Sequence, residues 1–121
     1  MRKYKSTKVD EAELTKIAYI VSNDRVSEVL ETNLAAILNG EETVRIVGLY
    51  FVDDGVFHII KGARIANMLR DALRYQDLWI FADDASVKKR NLQKILVEDA
   101  EIKSLTEFYK YVQDANHIIT I

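Results

Sequence analysis

Apolar positions along this chain switch repeatedly between two periods. Leu14-Thr15-Lys16-Ile17-Ala18-Tyr19-Ile20-Val21 is a short apolar run that stops at Ser22-Asn23-Asp24, and it predicts a first strand. Val26, Val29, Leu30, Leu34, Ile37 and Leu38 then recur at steps of three and four. That spacing makes one face of a helix, opened by the cap-type residues before it and closed by Asn39-Gly40. Glu28 and Glu31 fall on its wet face. Thr43 to Val52 is rich in β-branched and aromatic residues and predicts a second strand. It stops at Asp53-Asp54-Gly55. Val56, Phe57, Ile59 and Ile60 form a short apolar turn or helix, broken at Gly62. Ile65, Met68, Leu69, Ala72 and Leu73 make the next amphipathic helix, with Arg64, Arg70, Asp71 and Arg74 outside.

Leu78-Trp79-Ile80-Phe81-Ala82 is a continuous apolar run and predicts a third strand. Asp83-Asp84-Ala85-Ser86, the basic Lys88-Lys89-Arg90 and a short helical piece through Leu96 follow it. Ala100 to Lys103 is a weak fourth strand. Ser104-Leu105-Thr106-Glu107 has the spacing of a capping box. It opens a helix with Leu105, Phe108, Tyr109 and Val112 on one face, ending near Ala115-Asn116. His117 to Ile121 is a fifth strand. Strands that alternate with helices, each strand nearly all apolar, predict a parallel sheet covered on both faces with right-handed crossovers. The expected class is a three-layer α/β/α sandwich around five parallel strands, with Rossmann- or flavodoxin-type layering. Residues 14–121 make one domain, and residues 1–13 are a polar lead-in in which four of the first eight are Lys or Arg.

Composition narrows the chemistry. There is no Cys among the 121 residues, which excludes thiol catalysis, disulfides, zinc–thiolate sites and iron–sulfur clusters. There is no Pro, so no cis-proline turn. Charged residues are 30% of the chain with a net charge of −2, and no global field points to nucleic acid or an anionic membrane. No apolar run is long enough to span a bilayer, and no signal peptide is evident; the expected setting is the cytoplasm. The four glycines, Gly40, Gly48, Gly55 and Gly62, are too scattered for a phosphate-binding loop.

In open parallel sheets the ligand crevice lies outside the carboxyl ends of the strands. Here those ends carry Ser22, Asn23 and Asp24, then Asp53 and Asp54 with His58 just beyond, then Asp83, Asp84 and Ser86. Three readings of this acidic rim stand side by side. Its aspartates can cap helices and fill turns. Asp24, Asp53, Asp54, Asp83 and Asp84 can surround a divalent cation, with Asp24, Asp53 and Asp83 as candidate ligands, the basis of a small metal-dependent enzyme, if at least three of them converge. A receiver-type phosphoacceptor would want an acidic pair after the first strand and a lysine after the fifth, and the chain has neither. No nucleophile accompanies His58, and it reads as structural, as does His117. Trp79 reads as core or interface.

The succession resembles the DsrE/DsrF-like proteins of sulfur relay. The resemblance runs over about residues 14–121. It rests mainly on Tyr50-Phe51-Val52-Asp53-Asp54-Gly55-Val56-Phe57-His58-Ile59-Ile60-Lys61-Gly62 and on Ala82-Asp83-Asp84-Ala85-Ser86-Val87-Lys88-Lys89-Arg90-Asn91-Leu92. It implies an oligomer, trimeric or hexameric, with sites near subunit boundaries; Tyr50, Phe51 and Phe57 would suit such an interface, and a monomer core would use them equally. It also implies a sulfur-carrying cysteine just after the third strand. The matching position is Asp83, and a carboxylate cannot carry a persulfide. The expectation is therefore a family member without cysteine-based sulfur transfer and with no cofactor, acting as a binding or partner subunit, with a cysteine-bearing paralogue as the implied companion.

Overall fold

A computed structural model describes residues 14–41 and 44–121; the lead-in over 1–13 and Thr43 of the expected second strand lie outside the described residues. The element order is β1 (Thr15–Val21), α1 (Glu28–Asn39), β2 (Val44–Phe51), a 3-10 helix (Asp53–Ile59), α2 (Arg64–Ala72), β3 (Trp79–Ala82), α3 (Asp84–Lys89), β4 (Glu101–Ile102), α4 (Leu105–Tyr111) and β5 (His117–Thr120). All pairings are parallel, in the order β4-β3-β2-β1-β5. The expected five-stranded parallel α/β fold is thus the one observed.

The chain steps outward from β1 to β4, then returns across the sheet to lay β5 on the other side of β1. With crossovers of one hand, the outward steps and the return occupy opposite faces. The cores show this. On one face Tyr19, Val21, Leu49 and Phe51 pack with Leu34 and Ile37 of α1, Ile65 and Leu69 of α2, and Val56 and Ile59 of the 3-10 helix. On the other, Ala18, Val47, Tyr50 and Phe81 pack with Phe108 of α4 and with Val112 just after it. The sandwich is lopsided: its second helical layer is seven residues long.

Local chemistry sets most boundaries. The Ser104–Glu107 capping box forms as expected. Gly40 closes α1 in the left-handed region at φ 75, its N–H bonded to the carbonyls of Ala36 and Ile37. The start of α1 differs from the expectation. The Asn23 side chain accepts from the Arg25 N–H at 2.9 Å, folding Ser22–Asp24 into a turn, and Ser27 is the residue that caps the helix, accepting from Leu30 N–H. Val26 therefore precedes the helix, and it and Val29 are 46% and 59% exposed rather than on the core face. The helical piece expected through Leu96 stops at Lys89. Asn91 adopts φ 56, which breaks the helical path, and the segment beyond it is held by a bridge between Ile60 and Leu96. On α4, Phe108 and Val112 are buried, whereas Leu105 and Tyr109 are exposed, because one helix over an open sheet has solvent on both flanks.

Two glycines allow close approaches. Ile17 pairs with Ile46 but Ala18 with Gly48, so Val47 is an extra residue bulged into β2. A Cβ at Gly48 would lie 2.9 Å from Val112 Cγ1 of the turn after α4. A Cβ at Gly55 would lie 1.9 Å from the Val21 carbonyl oxygen, a clash with backbone that no side-chain rotation relieves. Gly55→Ala should therefore destabilise the fold by at least the ~1–3 kcal/mol typical of overpacking. Urea titration against wild type checks this, and an unchanged midpoint would refute the close packing of the 3-10 helix on the end of β1.

Candidate functional site

The carboxyl ends of β2 and β3 are joined by a chain of hydrogen bonds centred on Asp83. β3 delivers Asp83 to the N-cap of α3. Its Oδ2 accepts from the Ser86 backbone N–H at 3.0 Å and from the Ser86 hydroxyl at 2.6 Å. Its Oδ1 accepts from the Tyr50 hydroxyl at 2.9 Å. That hydroxyl also lies 3.1 Å from the Lys103 carbonyl, so its one proton is shared between two acceptors. The buried Ser86 Oγ in turn accepts from the Asp53 N–H at 2.8 Å. Four separate stretches of chain, at β2, the 3-10 helix, α3 and the residue after β4, are joined in this network, with Tyr50 and Ser86 bonding the carboxylate itself.

The electrostatics follow. Burial by itself pushes the Asp83 carboxyl up, but the hydrogen bonds from Ser86 and Tyr50 together outweigh it and hold the group below the ordinary 3.8. Burial, then the hydrogen bond to Asp83 and its negative charge, push the Tyr50 phenol well above its ordinary value. At neutral pH this is a carboxylate gripped by neutral donors, beside a phenol that keeps its proton.

The other rim residues have their own local partners. Asp54 receives the Arg90 Nε and Nη2 at 3.0 and 2.8 Å. Asp84 pairs with Lys88 at 3.1 Å, one turn along α3. Asp53 sits in the left-handed region at φ 53. Asp24 is exposed in the turn after β1. His58 is buried, with Nε2 3.0 Å from the Asn23 carbonyl; a carbonyl only accepts, so Nε2 carries the proton. Ser22 donates to the Ile121 carbonyl. The structure brings Asp83, Ser86 and the Asp53 backbone N–H together through hydrogen bonds, puts Asp54 and Asp84 into ion pairs, and leaves Ser22, Asn23 and His58 hydrogen-bonded to backbone groups elsewhere. Among the described residues no three His, Asp or Glu side chains are grouped to hold a metal ion, so the divalent-cation reading of Asp24, Asp53 and Asp83 finds no convergent set.

An open depression of about 450 Å³ lies against this network, lined by Asp83, Asp84 and Ala85 at the start of α3 and by Ile102, Lys103, Ser104 and Glu107 across from it. Sequence reasoning did not include Tyr50 or Lys103 in the site. Tyr50 reads as one of several apolar strand residues, and its partner is 33 positions away. Chemically, Asp83 is a fixed acceptor with both oxygens engaged, not a free base or nucleophile.

A family model described as DsrE/DsrF-like matches residues 15–121. Among solved structures, the crystal structure of the ychN protein from E. coli aligns with a TM-score of 0.63 at 19% identity, covering 89% of this chain and 99% of that one. A protein of unknown function, MTH1491 from Methanobacterium thermoautotrophicum, aligns with a TM-score of 0.64 at 16% identity, covering 87% and 98%. At such identities these two likenesses speak for the fold alone. No curated protein matches the chain.

The Asp83 network has a pH signature. A carboxyl held below its unfolded value adds stability that is fully present above about pH 4 and is lost as pH falls through the folded value. Asp83→Asn, which keeps the shape but turns one acceptor into a donor, should cost about 1 kcal/mol at pH 7. The gap to wild type should shrink in denaturant titrations near pH 3. A gap that stays constant across the range would show that the charge on Asp83 contributes nothing.

Proposed function

The chain belongs to the DsrE/DsrF-like family, and from that premise we propose that it is a non-catalytic binding or partner subunit of an oligomeric assembly, with sulfur relay as its setting in the cytoplasm. The observation that carries this reading is Asp83. The resemblance assigns the sulfur-carrying cysteine to the position just after the third strand, and that position here is an N-cap carboxylate held by three hydrogen bonds. Sulfane sulfur transfer needs a nucleophilic thiolate, and the chain has no cysteine anywhere. What the subunit contributes is its surface, beside a cysteine-bearing paralogue that does the chemistry, and neither a membrane nor nucleic acid is a partner. Among the described residues no helix is long and apolar enough to cross a bilayer.

Native mass spectrometry of the purified protein tests this reading. The expected outcome is a trimer or hexamer, and co-expression with a cysteine-bearing family member should give a mixed complex. A bare monomer that also ignores that companion would overturn the proposal.

A further inference from the structure

Six asparagines lie in the chain, and only Asn39 is followed by glycine; the others precede Asp24, Leu34, Met68, Leu92 and His117. The step matters chemically. The backbone nitrogen after an asparagine can attack its side-chain amide, and a glycine nitrogen has no neighbouring Cβ to block the approach. Asn39 is the last residue of α1, and both it and Gly40 are exposed. A second step of the same shape, Asp54-Gly55, provides a contrast. There the Asp54 carboxylate accepts twice from Arg90, at 3.0 and 2.8 Å. The Gly55 N–H donates to the Val52 carbonyl at 2.9 Å, and Gly55 is packed against the Val21 carbonyl. That step is locked at both reacting groups.

The surroundings of Asn39 are looser. The side chains of Asn23, Asn33 and Asn116 are engaged by the Arg25 N–H, the Tyr19 hydroxyl and the Lys16 N–H, whereas Asn39 stands in solvent. What restrains the attack is the helix cap. Gly40 N–H donates to the Ile37 carbonyl at 3.2 Å and Glu41 N–H to the Ala36 carbonyl at 2.8 Å, which turns the Gly40 nitrogen toward the helix and away from the Asn39 side chain. These bonds are at the very end of α1, and helix ends open at small free-energy cost. Ile37 is the last buried residue of α1, so opening beyond it uncovers no core.

We propose that Asn39 is a modification site, converting spontaneously to aspartate and isoaspartate when the last turn of α1 opens. The Gly40 nitrogen gives its proton to solvent and bonds to Asn39 Cγ; the Cγ–Nδ2 bond breaks, and Nδ2 takes up a proton and leaves as ammonia. Water then opens the cyclic imide. Cleavage of the ring nitrogen from Cγ gives aspartate, and cleavage from the backbone carbonyl carbon gives isoaspartate. One water is consumed, one ammonia is released, and nothing is oxidised or reduced. The products weaken the cap in different ways. α1 has no basic residue in its last turn, so a new carboxylate meets the negative end of the helix with no cation to offset it. Isoaspartate lengthens the backbone by one methylene, and the spacing of the two cap bonds is lost.

The test follows the full chain at mildly alkaline pH, native and in urea, by intact mass and by peptide mapping with electron-transfer fragmentation, which separates the two products. The expected result is an amide-to-acid mass gain at Asn39 several-fold faster than at any other asparagine, and slower in the native chain than in urea. Asp54-Gly55 should stay aspartyl in the native sample. Asn39→Gln, whose longer side chain would have to close a larger ring, should keep its mass. Asn39→Asp should unfold at lower urea than wild type in low salt, with the gap closing in high salt as the helix dipole is screened. An Asn39 that stays an amide in the native chain while the urea sample converts would overturn the proposal, as would another asparagine converting first. An Asn39→Asp chain as stable as wild type in low salt would overturn the consequence for α1.

Discussion

Parallel strands can be joined only through crossovers, and crossovers of one hand dictate which face each helix covers. Three outward steps from β1 to β4 stack α1, α2, the 3-10 helix and α3 on one side of the sheet. The single return to β5 leaves α4 alone on the other. Much else follows from that asymmetry. The deep core lies on the crowded side. On the sparse side a seven-residue helix must sit close to be useful, and the bulge at Val47 and the missing side chain at Gly48 let Val112 and Phe108 approach β2. Aromatic rings fill the remaining space: Tyr50, Phe81 and Phe108 are buried, and Trp79 and Tyr111 are left at the margin.

The same topology explains where polar chemistry gathers. The reversal of strand order lies between β1 and β5, where a ligand crevice is ordinarily sought. In this chain that point is closed by the end of β5 itself, since the Ile121 carbonyl accepts from both the Ser22 N–H and its hydroxyl. The open depression lies instead beyond β3 and β4, where β4 is only two residues long and covers little. Asp83 stands at that boundary and ties β2, the 3-10 helix and α3 together through Tyr50, Ser86 and Asp53.

Features encoded by near neighbours were legible in the sequence. The Ser104–Glu107 box and the Asn39-Gly40 stop each depend on residues within a turn of one another, and both form. The apolar runs of β1, β2 and β3 are buried over most of their length and stand out in the sequence. Features that depend on competition between local partners were not legible. The Asn23 turn and the Ser27 cap moved the start of α1, and Asn91 ended α3 early by adopting a left-handed backbone. The candidate rim was legible as a set of residues but not as a network. Which aspartates meet is decided by long-range register: Tyr50 pairs with Phe81 across β2 and β3, and that puts its hydroxyl within reach of Asp83 two residues further on. No period in the sequence carries that information. The apolar stripe of α4 failed in part for a similar reason, because Leu105 and Tyr109 would be buried only if a second helix lay beside the first.

The character of Asp83 argues for a role in holding the fold rather than in reaction. An N-cap is a position where an anion meets an unsatisfied backbone N–H, and a thiolate placed there would be stabilised and yet keep lone pairs free to attack. A carboxylate at the same point has two oxygens, and here both are engaged, one by Ser86 and one by Tyr50. Burial raises the energy of the charge and the donors more than compensate, so the anion persists but is spoken for. Tyr50 cannot act as the complementary base, because burial first, and then the hydrogen bond to Asp83 and its negative charge, keep its proton in place. On the proposed correspondence between Asp83 and the family's cysteine, the substitution turns a reactive position into a joint between strand ends. Around that joint, Lys103 and Glu107 link the depression to the exposed aromatic flank of the sheet.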